Sequence, residues 1–271
     1  MAQTQFLERL NATHVPCVKP ASKQTFKSLG MEQVHPEDLT DPEDMSWSHI
    51  ARRQLVSKTV QSRFPPLGHL IEGGVGSSGN LLEFADLSYD VTRLDATHEV
   101  VTHSHRRSLS DIRQHDLSEP WPAERASVCT VVMLDVLTHM IDPIHVLRNA
   151  AHFLHPGGDM MTTVPASPLF CNSSAERLGH RRRYTADVLR SKATVAGLKV
   201  EQLTHWNSIA LSVPCMKYGV NRLFGQDSGT RTSRHSPTVN SLVVHCAAVE
   251  REWLARTRVS AGLSIVGVLS K

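Results

Sequence analysis

Four acidic side chains lie where a carboxylate could bind a ligand in this 271-residue chain. Glu72, Asp95 and Asp116 each close a short run that favours a strand, and Asp135 lies near the end of the apolar run over residues 128–137. Ligands of open α/β sheets bind beyond the carboxyl ends of the strands. A carboxylate at such a strand end can hold a cationic amino group or a ribose hydroxyl.

A glycine-rich turn follows Glu72 and reads Gly73-Gly74-Val75-Gly76-Ser77-Ser78-Gly79. Glycine has no Cβ, so Gly74 and Gly76 allow a close approach of the backbone to a ligand and a positive φ. Asp95 lies 23 residues after Glu72. Rossmann-like folds place a ribose-binding acid about 20 residues after the glycine loop. The spacing therefore indicates a nucleotide-binding turn.

A parallel sheet is needed to bring these residues together. Asp142 is predicted to cap a helix that has Pro143 at its first position and that ends at Pro156-Gly157-Gly158. Hydrophobic patterning predicts further helices over 46–64 and 239–254. Strands are predicted over 70–72, 91–95, 111–116, 128–137, 159–164, 198–204 and 263–269.

These motifs, in this order, resemble those of class I S-adenosylmethionine-dependent methyltransferases of the small-molecule type. Besides the acids and the Gly-x-Gly-x-Gly loop, the family carries Asp-Val-Leu-Glu-His after the fourth strand and Leu-x-Pro-Gly-Gly after the next helix. Here the two read Asp135-Val136-Leu137-Thr138-His139 and Leu154-His155-Pro156-Gly157-Gly158. Residues 179–185 resemble a Gly-His-x-Arg-Arg-Tyr-Thr element of many members, and the resemblance runs from about residue 49 to 271.

The resemblance implies an α/β fold with a Rossmann-like, seven-stranded sheet, its last strand antiparallel and helices on both faces. It also implies a site for S-adenosylmethionine, and S-adenosylhomocysteine as the product. The implied cofactor contacts are Glu72, Gly74 and Gly76 for the methionine part, Asp95 for the ribose, Asp116 with the Leu117 backbone for the adenine, and Asp135 and Val136 near the sulfonium. Gly73 and Ala96 are further implied cofactor contacts. The reaction is then displacement of the methyl group by an O, N or C nucleophile of a small molecule, with a specialised metabolite as the expected acceptor.

Two histidines are candidates for proton transfer. His139 could take a proton from the acceptor, because an unperturbed imidazole titrates near neutrality; alternatively it only shapes the pocket floor. His180 opens a basic stretch that is predicted to form a cationic rim for a carboxylate or phosphate of the acceptor. Arg182 and Tyr184 of this stretch are the predicted substrate contacts. The alternative for this stretch is a structural lead-in to a helix capped by Thr185.

Two departures from the family pattern leave other functions open. Ser78 replaces the third loop glycine, and Thr138 stands where the family usually has Glu. Ser78 could cap the following helix instead. The alternatives are a methyltransferase-fold enzyme with a non-methylating reaction, such as cyclisation or rearrangement, and a non-catalytic binding subunit.

Composition argues against nucleic-acid binding, metal binding and membrane insertion. A net charge of +3 without a long basic tract argues against a nucleic-acid partner. The five cysteines are scattered without a C-x-x-C, and the close pairs His103/His105 and His152/His155 have no obvious carboxylate partners, so no metal site is predicted. No apolar run reaches membrane-spanning length. We expect a cytoplasmic protein without a membrane partner, and a homodimer stays open.

The chain is predicted to hold one methyltransferase domain over residues 46–271. Residues 1–45 form a polar segment that, by the resemblance, could cover the active site. Insertions near 165–184 and 206–258 are expected to shape the acceptor pocket, because loops after strands carry function while the sheet positions them.

Overall fold

The computed structural model describes residues 15–16, 47–63, 68–76, 89–106, 111–166, 182–208, 237–254 and 257–271. The elements in chain order are β1 (Val15–Pro16), α1 (Trp47–Arg63), β2 (His69–Gly73), β3 (Asp90–Asp95), α2 (His98–Arg106), β4 (Ile112–Gln114), β5 (Val128–Leu134), α3 (Pro143–Phe153), β6 (Leu154–Pro165), β7 (Arg182–Arg183), α4 (Ala186–Val195), β8 (Lys199–Trp206), α5 (Pro237–Leu254) and β9 (Ser264–Ser270). A short 3₁₀ helix, Val136–Thr138, follows β5.

One seven-stranded sheet organises the described residues, with the order β4-β3-β2-β5-β6-β9-β8. Strands β2 to β6 pair in parallel, and β9 runs antiparallel to both β6 and β8. This confirms the predicted sheet, including its antiparallel last strand. The central strand β5 is almost continuously apolar, as expected for a parallel strand that helices cover on both faces.

Two hydrophobic clusters lie on opposite faces of the sheet. Successive side chains of a strand point to opposite faces. Val131 and Met133 of β5 therefore pack into the cluster under α3 and α4, and Val132 and Leu134 pack into the cluster under α1 and α5. This layering holds the strand ends rigidly between helices. None of the helices in the described part of the chain is long and apolar enough to span a membrane.

The structure corrects three predicted boundaries. Helix α3 ends at Phe153, and the stretch predicted as its end and stop, Leu154 to Gly158, is the first part of β6. There, Leu154 pairs with Val128 before a register shift in the ladder. Strand β5 ends at Leu134 instead of 137, because Asp135 takes the left-handed φ of 60°. Strand β4 covers only 112–114 of the predicted 111–116.

Two predicted helix caps, at Asp142 and Thr185, are confirmed. The Asp142 carboxylate accepts hydrogen bonds from the backbone N–H groups of Ile144 at 3.0 Å and His145 at 3.1 Å. The Thr185 hydroxyl accepts one from Val188 N–H at 3.3 Å. Each cap satisfies a backbone donor that the first helical turn leaves unpaired. They fix the starts of α3 and α4.

A second, two-stranded sheet joins the N-terminal segment to the domain. Val15 pairs with Arg183 and Pro16 with Arg182 in antiparallel register. The pairing places this part of residues 1–45 against the strand that carries Arg182. The remainder of that segment, and most of the insertion at 165–184, lie outside the described residues, so their role at the acceptor pocket stays a prediction.

Candidate functional site

The parallel strands bring the predicted acidic residues to one edge of the sheet. Glu72 on β2 is level with Arg93 on β3 and Val132 on β5. Asp95 ends β3 and Asp135 directly follows β5. Since β2, β3 and β5 run in parallel side by side, their carboxyl ends form one continuous edge. The candidate cofactor residues lie along this edge.

The glycine turn after β2 has the backbone conformation that the sequence predicted. Gly74 has a φ of 77° and Gly76 a φ of 57°, both in the left-handed region. A Cβ on Gly74 would lie 2.3 Å from Val136 Cγ2, whereas one on Gly76 would meet nothing within 4 Å. Glycine is therefore needed at position 74 for two reasons. Its φ is positive, and the turn approaches the end of β5 too closely for a side chain. Ser78 lies outside the described residues.

The Asp95 carboxylate holds this turn in place. Its Oδ2 accepts hydrogen bonds from Val75 N–H at 2.9 Å and Gly76 N–H at 3.2 Å. Its Oδ1 accepts one from Thr97 N–H at 2.8 Å. A carboxylate has about four lone-pair sites, so these contacts leave room for about one further donor. The residue predicted to bind the ribose thus also shapes the loop.

Glu72 is a buried carboxyl group, with 2% of its surface exposed. Its Oε2 has no hydrogen-bond partner among the described residues, and the Arg93 Nε is 3.7 Å away. Burial raises the pKa of Glu72 to about 8, while Arg93 acts in the lowering direction but more weakly. Asp95 raises the pKa further and Arg52 lowers it. A buried acceptor without a donor is suited to a cationic ligand group.

Asp135 is held by two residues that no sequence motif identified. Its backbone N–H donates to the Thr163 carbonyl at 2.9 Å, and its Oδ1 accepts from the Thr163 hydroxyl at 3.1 Å. Its Oδ2 accepts from Arg52 Nη1 at 2.8 Å. Burial lowers the pKa of Arg183, and the Asp135 carboxylate opposes that effect. Asp135 therefore forms an ion pair with Arg52 of α1 and also interacts electrostatically with Arg183 of β7.

The predicted adenine side of the site is formed by the turn after β4. Leu117 is buried, and a Cβ on Gly73 would lie 2.9 Å from its Cδ1. Asp116 is exposed, and its Oδ1 accepts a hydrogen bond from Ser118 N–H at 2.8 Å. Ala96, also exposed, accepts from Gln114 Nε2 through its carbonyl at 3.2 Å. The turn thus offers an apolar side chain beside Gly73 and a carboxylate at the rim.

The loop after β5 contains Thr138 and His139. Thr138 is buried, and its hydroxyl donates to the Asp135 carbonyl at 2.6 Å, so it closes the 3₁₀ turn. His139 is half-buried, and its backbone N–H donates to the Val136 carbonyl at 3.0 Å. The side chain at 138 therefore has a structural role here. His180, the other candidate for proton transfer, lies outside the described residues.

Arg182 and Tyr184 donate hydrogen bonds to backbone carbonyls of the loop after β5. Tyr184 is fully buried, and its hydroxyl donates to the Leu137 carbonyl at 3.0 Å; burial raises the pKa of this phenol. Arg182 Nη2 donates to the Ile141 carbonyl at 3.1 Å. These contacts favour the structural alternative for this stretch, and the substrate contacts of both residues stay a prediction.

Among the described residues, no group of three His, Cys, Asp or Glu side chains could hold a metal ion. A cavity of about 140 Å³ lies between α1, α5 and the sheet strands β8 and β9. None of the candidate site residues lines this cavity, so the cavity is separate from the candidate cofactor site at the carboxyl ends of the strands.

Comparison with known proteins places this geometry in a family. A family model described as "Methyltransferase domain" matches residues 47–203, from α1 into β8. The chain belongs to this methyltransferase domain family. The matched region includes Arg52, the glycine turn and all four acids at the sheet edge. No protein of curated function matches the sequence significantly.

Solved structures show the same fold at low sequence identity. The [4+2]-cyclase SpnF is 14% identical with a TM-score of 0.52, and 80% of this chain and 79% of that chain are covered. The complex of the Haloferax volcanii Trm112 methyltransferase activator and a putative methyltransferase matches with 20% identity and a TM-score of 0.54, and 81% of this chain and 90% of that chain are covered. Haemonchus contortus phosphoethanolamine N-methyltransferase 2, solved with S-adenosyl-L-methionine, is 13% identical with a TM-score of 0.55, and 93% of this chain and 61% of that chain are covered. These likenesses concern the fold, which is that of class I methyltransferases.

Proposed function

We propose that the sheet edge binds S-adenosylmethionine and that the protein transfers its methyl group to an O, N or C nucleophile of a small molecule. The observation that carries the proposal is the buried Glu72 Oε2, which has no hydrogen-bond partner among the described residues. It lies beside a turn in which Gly74 keeps the space next to Val136 free of a side chain. A cationic group and a nucleoside fit such an edge.

The residues present fit the cofactor part by part. Glu72 would hold the ammonium group, because an unpaired buried acceptor is costly until a donor reaches it. Asp95 would take a ribose hydroxyl with its remaining lone-pair capacity, and Leu117 would border the adenine with Asp116 at the rim. When bound, the cofactor supplies a methyl group activated by a sulfonium.

The contribution of the protein to the reaction is alignment and exclusion of water. Val136 and His139 belong to the loop after β5, which Arg182 and Tyr184 fix through its carbonyls. A fixed loop can hold an acceptor in line with the methyl group. His139 is the candidate for removing a proton from the acceptor, and shaping the pocket floor is its alternative role. A specialised metabolite is the proposed acceptor class.

A non-methylating reaction is the second candidate function. It is favoured by the likeness to a solved [4+2]-cyclase, which shares the fold. Thr138, the departure that raised this alternative, is buried and bonded to the Asp135 carbonyl. That contact gives Thr138 a structural explanation and weakens the case for altered chemistry.

Calorimetric titration with S-adenosylhomocysteine, followed by a methyl-transfer assay over a panel of small acceptors, tests the proposal. We expect binding, a raised melting temperature by mass action, and transfer of label from S-adenosylmethionine. Binding without transfer to any acceptor would favour the non-methylating candidate. Absence of binding would contradict the proposal and favour a subunit without cofactor.

The cytoplasmic location stays a prediction, and the homodimer stays an open alternative. Sedimentation of the purified protein distinguishes the two oligomeric states, because a homodimer has twice the mass of the 30.0 kDa chain.

A further inference from the structure

Arg52 brings a partly buried positive charge to the sheet edge from the helix that precedes it. Its side chain is 17% exposed, and its Nη1 lies 2.8 Å from Asp135 Oδ2. Its Nε is buried without a hydrogen-bond acceptor among the described residues. An unsatisfied buried donor on a charged group is unfavourable. Its position therefore calls for an acceptor that the described residues do not supply.

The unsatisfied donor of Arg52 complements the unsatisfied acceptor of Glu72. Both atoms are buried, and they carry opposite charge once Glu72 is ionised. The Arg52 charge favours that ionised form, because it acts to lower the pKa of Glu72. In this arrangement the two groups do not satisfy each other, since neither atom has a hydrogen-bond partner among the described residues. An α-amino-acid group, with one ammonium and one carboxylate, supplies a partner for each.

We infer that Arg52 binds the α-carboxylate of the amino-acid part of the cofactor, and that Asp135 positions Arg52 for this contact. The inference rests on the proposed function. Guanidinium presents five donors in a rigid fork. With Nη1 on Asp135, the edge formed by Nε and Nη2 remains for a carboxylate, which such an edge can bind through two parallel hydrogen bonds.

The surroundings of Asp135 suit a positioning role. Its carboxylate is fixed on one side by the Thr163 hydroxyl, and its backbone is fixed by the Thr163 carbonyl. The guanidinium of Arg52 is therefore anchored to the rigid end of the sheet although it comes from helix α1. In this account Asp135 acts on the ligand through Arg52.

Three ligands separate the contacts of the amino-acid part in calorimetric titrations. S-adenosylhomocysteine carries both charges, its decarboxylated analogue lacks only the carboxylate, and 5′-methylthioadenosine lacks the whole amino-acid group. For Arg52→Ala we expect the affinity for S-adenosylhomocysteine to fall about 10- to 100-fold, the range for a lost charged hydrogen bond. The affinity for 5′-methylthioadenosine should stay unchanged. The decarboxylated analogue should lose less affinity than S-adenosylhomocysteine, because it loses only the help that Arg52 gives to the ionisation of Glu72.

Two further variants make the result specific. Arg52→Lys keeps the charge but not the fork, so it should recover only part of the lost affinity. Lys58→Ala removes a cation from the same helix, one that pairs with Glu252, and should leave all three affinities unchanged. Circular dichroism melts of each variant show that the fold is retained.

A double-mutant cycle tests the positioning role of Asp135. Asp135→Asn tolerates the left-handed backbone and should weaken S-adenosylhomocysteine binding in the parent but not in Arg52→Ala. Equal losses in both backgrounds would overturn the positioning role. If Arg52→Ala binds S-adenosylhomocysteine as the parent does, the carboxylate assignment is wrong while the proposed function survives. If the parent binds none of the ligands, both fail.

Discussion

The buried carboxyl of Glu72 makes cofactor binding dependent on pH. Burial raises its pKa to about 8, so below that pH most unliganded molecules carry a proton on Glu72. The ammonium group of S-adenosylhomocysteine requires the ionised carboxylate. The proton must therefore leave when the ligand binds, and the affinity should rise with pH. The charges that face Glu72 are Arg93, Asp95 and Arg52.

The magnitude follows from the ionised fraction. With a pKa of about 8, about one Glu72 in a hundred is ionised at pH 6 and about one in ten at pH 7. The affinity for S-adenosylhomocysteine should therefore rise about tenfold over this interval, about 1.4 kcal/mol, while the α-amino group of the ligand stays protonated. About one proton should be released for each ligand bound.

Calorimetric titrations measure both the affinity and the number of protons released. They are run at about pH 6.0, 6.5 and 7.0, within the range in which the ionised fraction of Glu72 changes. Each pH is measured in two buffers of different ionisation enthalpy. Glu72→Gln cannot ionise, so its weaker binding should be independent of pH at this site. In the parent, 5′-methylthioadenosine provides the matched ligand control, because it has no ammonium group. An affinity for S-adenosylhomocysteine that is flat with pH, with no proton released, would refute the assignment of Glu72 as the ammonium site.

Four further substitutions test individual contacts. Gly74→Ala should cost about 2 kcal/mol or more of unfolding free energy and weaken cofactor binding, because its Cβ would lie 2.3 Å from Val136 Cγ2; Gly76→Ala, with the same sign of φ but open space, should cost only about 1 kcal/mol. Denaturant unfolding measures the stability of the two variants, and calorimetry measures their cofactor affinity. Equal losses in Gly74→Ala and Gly76→Ala would contradict this prediction. Asp142→Ala should lower the unfolding free energy by about 1 kcal/mol and the melting temperature by about 2–4 °C, and an unchanged melt would show that the cap is not needed. Tyr184→Phe should cost about 1–2 kcal/mol without changing the affinity for S-adenosylhomocysteine, and a large loss of affinity would show that the hydroxyl serves the cofactor.

The main strands and the common edge of their acidic ends were predictable, because their signals are local. Each strand before an acid is a short run of apolar residues, and a parallel arrangement places all such run ends at one edge. The Asp142 cap was predictable for the same reason, since its partners, Ile144 and His145, are two and three residues away. Such patterns need no knowledge of distant contacts.

The contacts that complete the site could not be predicted, because they join distant parts of the chain. Arg52 and Asp135 are 83 residues apart, and Tyr184 and Leu137 are 47 residues apart. Nothing in the composition of α1 distinguishes Arg52 from its other basic residues. The left-handed backbone of Asp135 was also missed, because the apolar pattern continues through Leu137 and gives no local signal for the end of β5.

A crystal structure of the protein with S-adenosylhomocysteine would test the central claim most directly. We expect the ligand to lie along the carboxyl ends of β2, β3 and β5, with its ammonium group hydrogen-bonded to Glu72 and a ribose hydroxyl hydrogen-bonded to Asp95. A ligand bound elsewhere on the fold, or one at this edge that touches neither carboxylate, would contradict it.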